Sequence, residues 1–134
     1  MVARAARVLR AWDDARAAAY SRGSTSKLRW LYVDGAGVSD LRLLRDYARR
    51  DLRIVRMEVQ VLAVDVLGHT PQTWRLRVTD RLSRVVVAAG RSTRTVLPRD
   101  QASTRIVHLV RRGETWRVAA VRHGGLFSDR GPPR

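Results

Sequence analysis

The amino-terminal part of the chain repeats apolar residues with the period of an amphipathic helix. Over residues 5–20 they recur at spacings of three and four, which gathers them on one side of a helix: Val8, Leu9, Trp12, Ala15, Ala19 and Tyr20. Gly23 suits the left-handed turn that ends a helix. The side-chain oxygens of residues 24–26 can then cap a second helix over residues 27–33.

A third helix is predicted before residue 51. Ser39 or Asp40 can cap it, and the basic pair at 49–50 is favourably placed near its carboxyl end. The apolar residues that share one face of this helix are Leu41, Leu44 and Ala48. Three helices are therefore expected before any strand.

After residue 51 the period changes to two and β-branched residues become frequent. This pattern predicts strands over residues 52–67, 74–87, 104–111 and 115–122, with a longer connection over 90–101. The strand that begins at Trp74 alternates most clearly. Its apolar side carries Trp74, Leu76, Val78 and Leu82, and its polar side carries Arg75, Arg77, Thr79 and Arg81.

Helices followed by strands joined through hairpins predict an α+β domain, with the helices on one face of an antiparallel sheet of four or more strands. The length of 134 residues suits one domain. We expect that domain to cover residues 1–123. Residues 124–134 have the composition of a flexible carboxyl-terminal tail.

Two segments carry a resemblance to a known family. Residues 7–33, RVLRAWDDARAAAYSRGSTSKLRWLYV, resemble the opening of NTF2-like domains of the cystatin-like, SnoaL type, and residues 104–122, TRIVHLVRRGETWRVAAVR, resemble their closing hairpin. The resemblance implies a cone in which a curved sheet wraps the first helix and a pocket opens between sheet and helices. That family includes isomerases, dehydratases and cyclases as well as non-catalytic domains, so the fold does not decide the function.

Asp80 is the first candidate for chemistry in such a pocket. Alternation places it on the apolar side of its strand, where burial of a carboxylate raises its pKa toward the range of a general acid or base. The alternative is a structural role for Asp80. Arg84, the second residue after it on the same face, can pair with it, or a bulge can turn both side chains to solvent.

His108 is the second candidate. If it faces inward with Ile106 and Val110, its imidazole can form an acid–base pair with Asp80. In the alternative register Val107 and Leu109 face inward and His108 faces solvent. The sequence leaves both registers open.

Aromatic residues supply the remaining candidates for a binding site. The ligand-binding candidates are Trp12, Tyr20, Trp30, Tyr47 and Trp74, together with Asp80 and His108. Aromatic side chains with polar tips suit a small amphipathic ligand, although such residues also complete cores. The leading hypothesis is a domain that binds a small hydrophobic or amphipathic molecule without demonstrable catalysis. The alternative is an isomerase, dehydratase or cyclase that uses Asp80 and His108.

The composition excludes several kinds of functional site. The chain has no cysteine, which excludes disulfides, thiolate metal ligands and a thiol nucleophile. Its histidines do not have the spacing of metal ligands, so neither a metal site nor a cofactor is predicted.

The charge is strongly basic, with 27 Lys and Arg against 12 Asp and Glu and a net charge of +15. Only Lys27 is a lysine, a bias typical of GC-rich bacterial coding, and this interpretation is favoured over a nucleic-acid partner. The alternative is polyanion or nucleic-acid binding through Arg75, Arg77 and Arg81, with an affinity that falls steeply with salt.

The apolar residues bear on membrane contact and on self-association. No stretch approaches the roughly 20 apolar residues of a membrane span, and the first residues lack the apolar run of a secretory signal, so we expect a cytoplasmic protein without membrane contact. Val85 and Val87 are expected on the outer side of the sheet. Exposed β-branched residues there predict a homodimer through the sheet.

Overall fold

Three helices precede five strands in the computed structural model, which describes residues 1–91 and 93–123. The helices are α1 (Val2–Ser21), α2 (Thr25–Trp30) and α3 (Val38–Arg49). The strands are β1 (Leu52–Thr70), β2 (Thr73–Ala89), β3 (Thr93–Val96), β4 (Ser103–Arg112) and β5 (Thr115–His123). The predicted tail, residues 124–134, lies outside the described residues.

The strands form one antiparallel sheet in the order β1-β2-β4-β5, and β3 pairs with β2. The predicted α+β architecture of helices on an antiparallel sheet of four or more strands is confirmed. The short β3 lies within the connection predicted over residues 90–101. Four residues without clear alternation give too weak a pattern to be found in the sequence.

The end of α1 and the start of α2 follow the predicted local chemistry. Gly23 has a left-handed backbone with φ 62°, and the Ser24 hydroxyl accepts a hydrogen bond from the Lys27 amide at 3.2 Å. However, α2 ends at Trp30 instead of Val33 because the next residues pair with β5. The Val118 amide donates to the Leu31 carbonyl, and the Val33 amide donates to the Val118 carbonyl, each at 2.9 Å. In contrast, α3 begins at Val38 after Gly37 with no side-chain cap hydrogen bond, so the predicted cap at Ser39 or Asp40 was wrong.

Two apolar clusters join the helices to the sheet. Ala5 and Leu9 of α1 belong to the first, with the inward residues Trp74, Leu76, Val78, Val107, Leu109 and Val118. Ala19 and Tyr20 belong to the second, with Leu28, Leu44, Ile54, Val85 and Val87. The stretch of α1 between these clusters includes Asp13 and Arg16, so polar side chains lie between two apolar regions.

A bulge in β2 overturns one expectation. Leu82 pairs with Val59 and Arg84 pairs with Glu58, which leaves Ser83 as an extra residue. The bulge reverses the alternation, so Val85 and Val87 join the second cluster and are only 7% and 8% exposed. The expectation that they face outward was wrong, and the predicted homodimer loses that support.

Gly37 allows a close approach on which the helices depend. A Cβ added there would lie 2.7 Å from Cγ and 2.9 Å from Cε2 of the Tyr32 ring. We expect Gly37→Ala to lower the free energy of unfolding in urea by about 1–3 kcal/mol, since the ring must shift in a packed region. Gly68→Ala is the matched control, with nothing within 4 Å of its added Cβ. Equal stability of the two variants would contradict this contact.

Candidate functional site

Seven side chains form a polar layer between the two apolar clusters. They are Asp13, Arg16 and Tyr20 of α1, Tyr32 after α2, Asp40 in the first turn of α3, Asp80 of β2 and Arg105 of β4. One half of the layer centres on Asp40 and the other on Asp80.

In the Asp40 half, one carboxylate accepts four hydrogen bonds. Arg16 donates from Nε to Oδ2 and from Nη2 to Oδ1, each at 2.7 Å. The Tyr20 hydroxyl donates to Oδ1 at 2.6 Å, and the Tyr32 hydroxyl donates to Oδ2. Because each oxygen already accepts two hydrogen bonds, this carboxylate has little capacity left for a ligand.

The charges in the Asp40 half are fixed at neutral pH. Burial alone would raise the pKa of Asp40, but the Arg16 guanidinium and the two tyrosine hydroxyls lower it below its ordinary value of 3.8. Burial and the nearby Asp40 charge raise the pKa of Tyr20 and of Tyr32 well above the ordinary range. An ionised carboxylate and neutral phenols make this half a structural clamp between α1, α3 and the segment after α2.

In the Asp80 half, the carboxylate is 4% exposed and accepts a hydrogen bond from Arg105 Nη2 at 2.6 Å. Arg105 lies opposite Val78, on the inward face of the neighbouring strand. Arg84, the partner suggested by the sequence, is exposed instead. The bulge at Ser83 turns Arg84 to the outer face. Strict alternation therefore predicted the wrong arginine as the partner of Asp80.

Asp13 completes the Asp80 half and was missed in the sequence. Burial, and then the nearby Asp80 charge, raises the pKa of Asp13 from 3.8 to about 6. The signal was present in the helical spacing, since residues 9, 13, 16 and 20 share one face of α1. Asp13 was overlooked because a carboxylate in an amphipathic helix is usually on the solvated side.

Two buried atoms of the Asp80 half make no hydrogen bond to any described residue. They are Asp13 Oδ2 and Arg105 Nε. Buried polar atoms normally have partners, so this half differs from the saturated clamp around Asp40. It contains an acceptor and a donor that can both bind a polar group.

The structure does not bring His108 to Asp80. Val107 and Leu109 face the helices and are buried, whereas His108 lies opposite Arg75 on the other face of the sheet. The alternative register is the one adopted, and the paired arrangement of Asp80 and His108 was wrong.

The aromatic candidates are dispersed. The Trp12 indole donates to the Leu31 carbonyl at 2.8 Å, and Trp74 is 6% exposed within the first cluster. Tyr47 packs against the second cluster, while Trp30 is 57% exposed. Tyr20 belongs to the clamp, and Trp30 lines a surface hollow that includes none of the other four aromatic candidates.

The three arginines predicted to bind anions lie on the outer face of the sheet, with Arg75 and Arg77 exposed. Arg77 lies 4.0 Å from a carboxylate oxygen of Asp65, and Arg81 donates to Gln60 at 2.8 Å. Polyanion binding on this face stays a prediction.

Two hollows on the surface of the described residues are prominent, and neither of these two lies between α1 and the sheet. One lies along α3, lined by Val38, Leu41, Arg42, Arg45, Ala48 and Arg49. The other lies between α1 and α2, lined by Ala15, Ala18, Ala19, Arg22, Ser26, Lys27, Trp30 and Leu31. The apolar clusters and the polar layer lie between α1 and the sheet.

The described residues provide neither a metal-binding cluster nor a helix that could span a membrane. Within residues 1–91 and 93–123, no group of three or more His, Asp or Glu side chains is arranged to hold a metal ion. None of the described helices combines the length and the apolar run needed to cross a bilayer.

Similarity to known proteins is found at the level of the fold. The sequence matches no family model and no curated protein. The structure is similar to that of an uncharacterized protein with a cystatin-like fold from Caulobacter vibrioides, with a TM-score of 0.50 over 87% of this chain and 85% of that chain. The chain has a cystatin-like fold. The cystatin-like fold expected from residues 7–33 and 104–122 is confirmed, while 11% identity leaves function to be argued from the site.

The raised pKa of Asp13 predicts a pH dependence of stability. Between pH 3.8 and about 6 the folded chain holds a proton on Asp13 that the unfolded chain has released, so stability falls as pH rises through this window. We expect Asp13→Asn to be more stable than the native protein at about pH 7, by roughly 1–3 kcal/mol. The difference should vanish below about pH 4.

Urea unfolding across this pH range measures the effect. The matched control is Asp14→Asn, at an exposed neighbouring position, which should follow the native profile closely because the Asp14 charge contributes least to the raised pKa of Asp13. An Asp13→Asn profile parallel to the native one would show that Asp13 does not titrate in this window.

Proposed function

We propose that the domain binds a small amphipathic molecule at the Asp80 half of the polar layer, between α1 and the sheet. The observation that carries this proposal is the pair of buried atoms, Asp13 Oδ2 and Arg105 Nε, that make no hydrogen bond within residues 1–91 and 93–123. One is an acceptor and the other a donor, so the ligand chemistry that matches them is a hydroxyl close to a carbonyl.

The surroundings support an amphipathic ligand. The first apolar cluster, which includes Leu9 and Val78, lies on one side of the layer. The Arg105 side chain is 34% exposed, so the layer reaches the surface at β4. Binding sites are commonly apolar with a few convergent polar groups, and the Asp80 half combines an apolar neighbourhood with two such groups.

A second candidate function is proton transfer. The specific observation is that burial and Asp80 raise the pKa of Asp13 to about 6, close to the pH at which a general base is both ionised and basic enough to act. In this proposal Asp13 takes a proton from carbon, and Arg105 Nε donates to the oxygen that becomes negative. Asp80 acts by orienting Arg105.

The binding proposal is tested with two probes that differ by one hydroxyl. We expect 2-hydroxyacetophenone to shift the backbone NMR signals of residues 13, 80 and 105, and acetophenone to bind more weakly. Arg105→Lys keeps a positive charge for Asp80 and removes Nε, so it should weaken binding of the hydroxylated probe by about tenfold, as should Asp13→Asn. Asp14→Asn is the control. Equal binding of both probes, or shifts elsewhere, would exclude this site.

The proton-transfer candidate is tested with 2-indanone in deuterated water. We expect the protein to accelerate exchange of the protons next to the carbonyl, with a rate that rises through about pH 6 as Asp13 ionises. Asp13→Asn should remove about a hundredfold or more of the acceleration, and Asp14→Asn should retain it. Exchange no faster than in buffer alone would reject proton transfer and leave the binding proposal standing.

A further inference from the structure

The groove between α1 and α2 lies on the outer side of the helices, away from the polar layer. Its buried lining residues are Ala19 and Leu31, flanked by the exposed Ala15 and Ala18. Its volume of about 510 Å³ falls within the range of roughly 300–1,000 Å³ common for small-molecule sites. Because alanine side chains are short, a flat ring can approach the surface of α1 closely.

Trp30 forms one side of this groove and is held in place without being covered. Its side chain is 57% exposed, and the guanidinium carbon of Arg117 lies 3.8 Å from the centre of its ring. Arg117 is not a lining residue of the groove, so the groove meets a surface of the indole that the guanidinium does not cover. An aromatic surface fixed by a cation–π contact loses little conformational freedom when a ligand binds.

The charges around the groove favour an anion. Arg22 at the end of α1 and Lys27 in α2 both line it and are exposed, and its lining residues include no carboxylate. The Ser26 hydroxyl adds a further donor. A ligand with a carboxylate beside a ring can therefore satisfy the apolar floor and the basic rim together.

We propose that this groove binds a small aromatic carboxylate. The ring packs against Trp30 and the alanines of α1, and the carboxylate pairs with Lys27 and Arg22. This site shares no residue with the polar layer, so it is independent of the function proposed above.

The test uses 2-naphthoate as the probe and 2-naphthalenemethanol as its neutral counterpart. In the labelled protein we expect 2-naphthoate to shift the indole N–H signal of Trp30 and the amide signals of the groove, and to leave those of Trp12, Trp74 and Trp116 in place. The neutral probe should bind several-fold more weakly. The affinity for 2-naphthoate should fall as salt is added, because its charged partners are exposed.

Substitutions distinguish the contribution of the Trp30 ring to binding from that of the basic residues. Trp30→Ala should weaken 2-naphthoate binding by about three- to tenfold through loss of the aromatic contact. Lys27→Gln should weaken it several-fold and remove most of the preference over the neutral probe. The control is Arg29→Gln, an exposed residue of α2 outside the groove, which should bind as the native protein does.

Ala18→Leu adds bulk inside the groove at an exposed position and leaves Trp30 with Arg117 intact, so a loss of binding in this variant does not depend on the stability of Trp30→Ala. The proposal is overturned if 2-naphthoate leaves the Trp30 signal unchanged at millimolar concentration, or if Ala18→Leu binds as well as the native protein. Equal affinity for both probes, or binding of an acidic helical peptide in place of 2-naphthoate, would also overturn it.

Discussion

The buried ion pair between Arg16 and Asp40 is the interaction on which the rest of the structure depends. It joins α1 to α3, and the hydroxyls of Tyr20 and Tyr32 complete the coordination of the carboxylate. Burying two charges is costly, and removing one partner of such a pair typically destabilises a protein by about 3–5 kcal/mol. The geometry is therefore held closely, and it fixes the position of α1 over the sheet.

That position explains why the neighbouring half of the layer is chemically different. Asp13 lies one helical turn before Arg16, so the clamp holds its carboxylate near Asp80 although the two charges repel each other. The Asp40 carboxylate is saturated by four hydrogen bonds, whereas Asp13 Oδ2 and Arg105 Nε form no hydrogen bond with any residue that the structure describes. Saturated hydrogen bonding is concentrated in one half of the layer, and the buried atoms without hydrogen bonds lie in the other.

The sequence predicted what depends on local periodicity and turn chemistry. The element order, the left-handed Gly23 and the Ser24 cap follow from such signals, and the cystatin-like fold was expected from the resemblance of residues 7–33 and 104–122 to a known family. Side-chain contacts between distant elements could not be predicted from the sequence, because a bulge reverses the alternation that assigns each residue to a face of the sheet. Ser83 turned Val85 inward, and Asp40, expected as a helix cap, became the acceptor of an arginine 24 residues away.

A carbon-13 NMR titration of the side-chain carboxyl groups tests the contrast between the two halves most directly. The account predicts that Asp13 releases its proton near pH 6, while Asp40 stays ionised below its ordinary pKa of 3.8. If Asp13 ionises at or below 3.8, or Asp40 above it, the division of the polar layer into a saturated clamp and a half with unsatisfied buried atoms is contradicted.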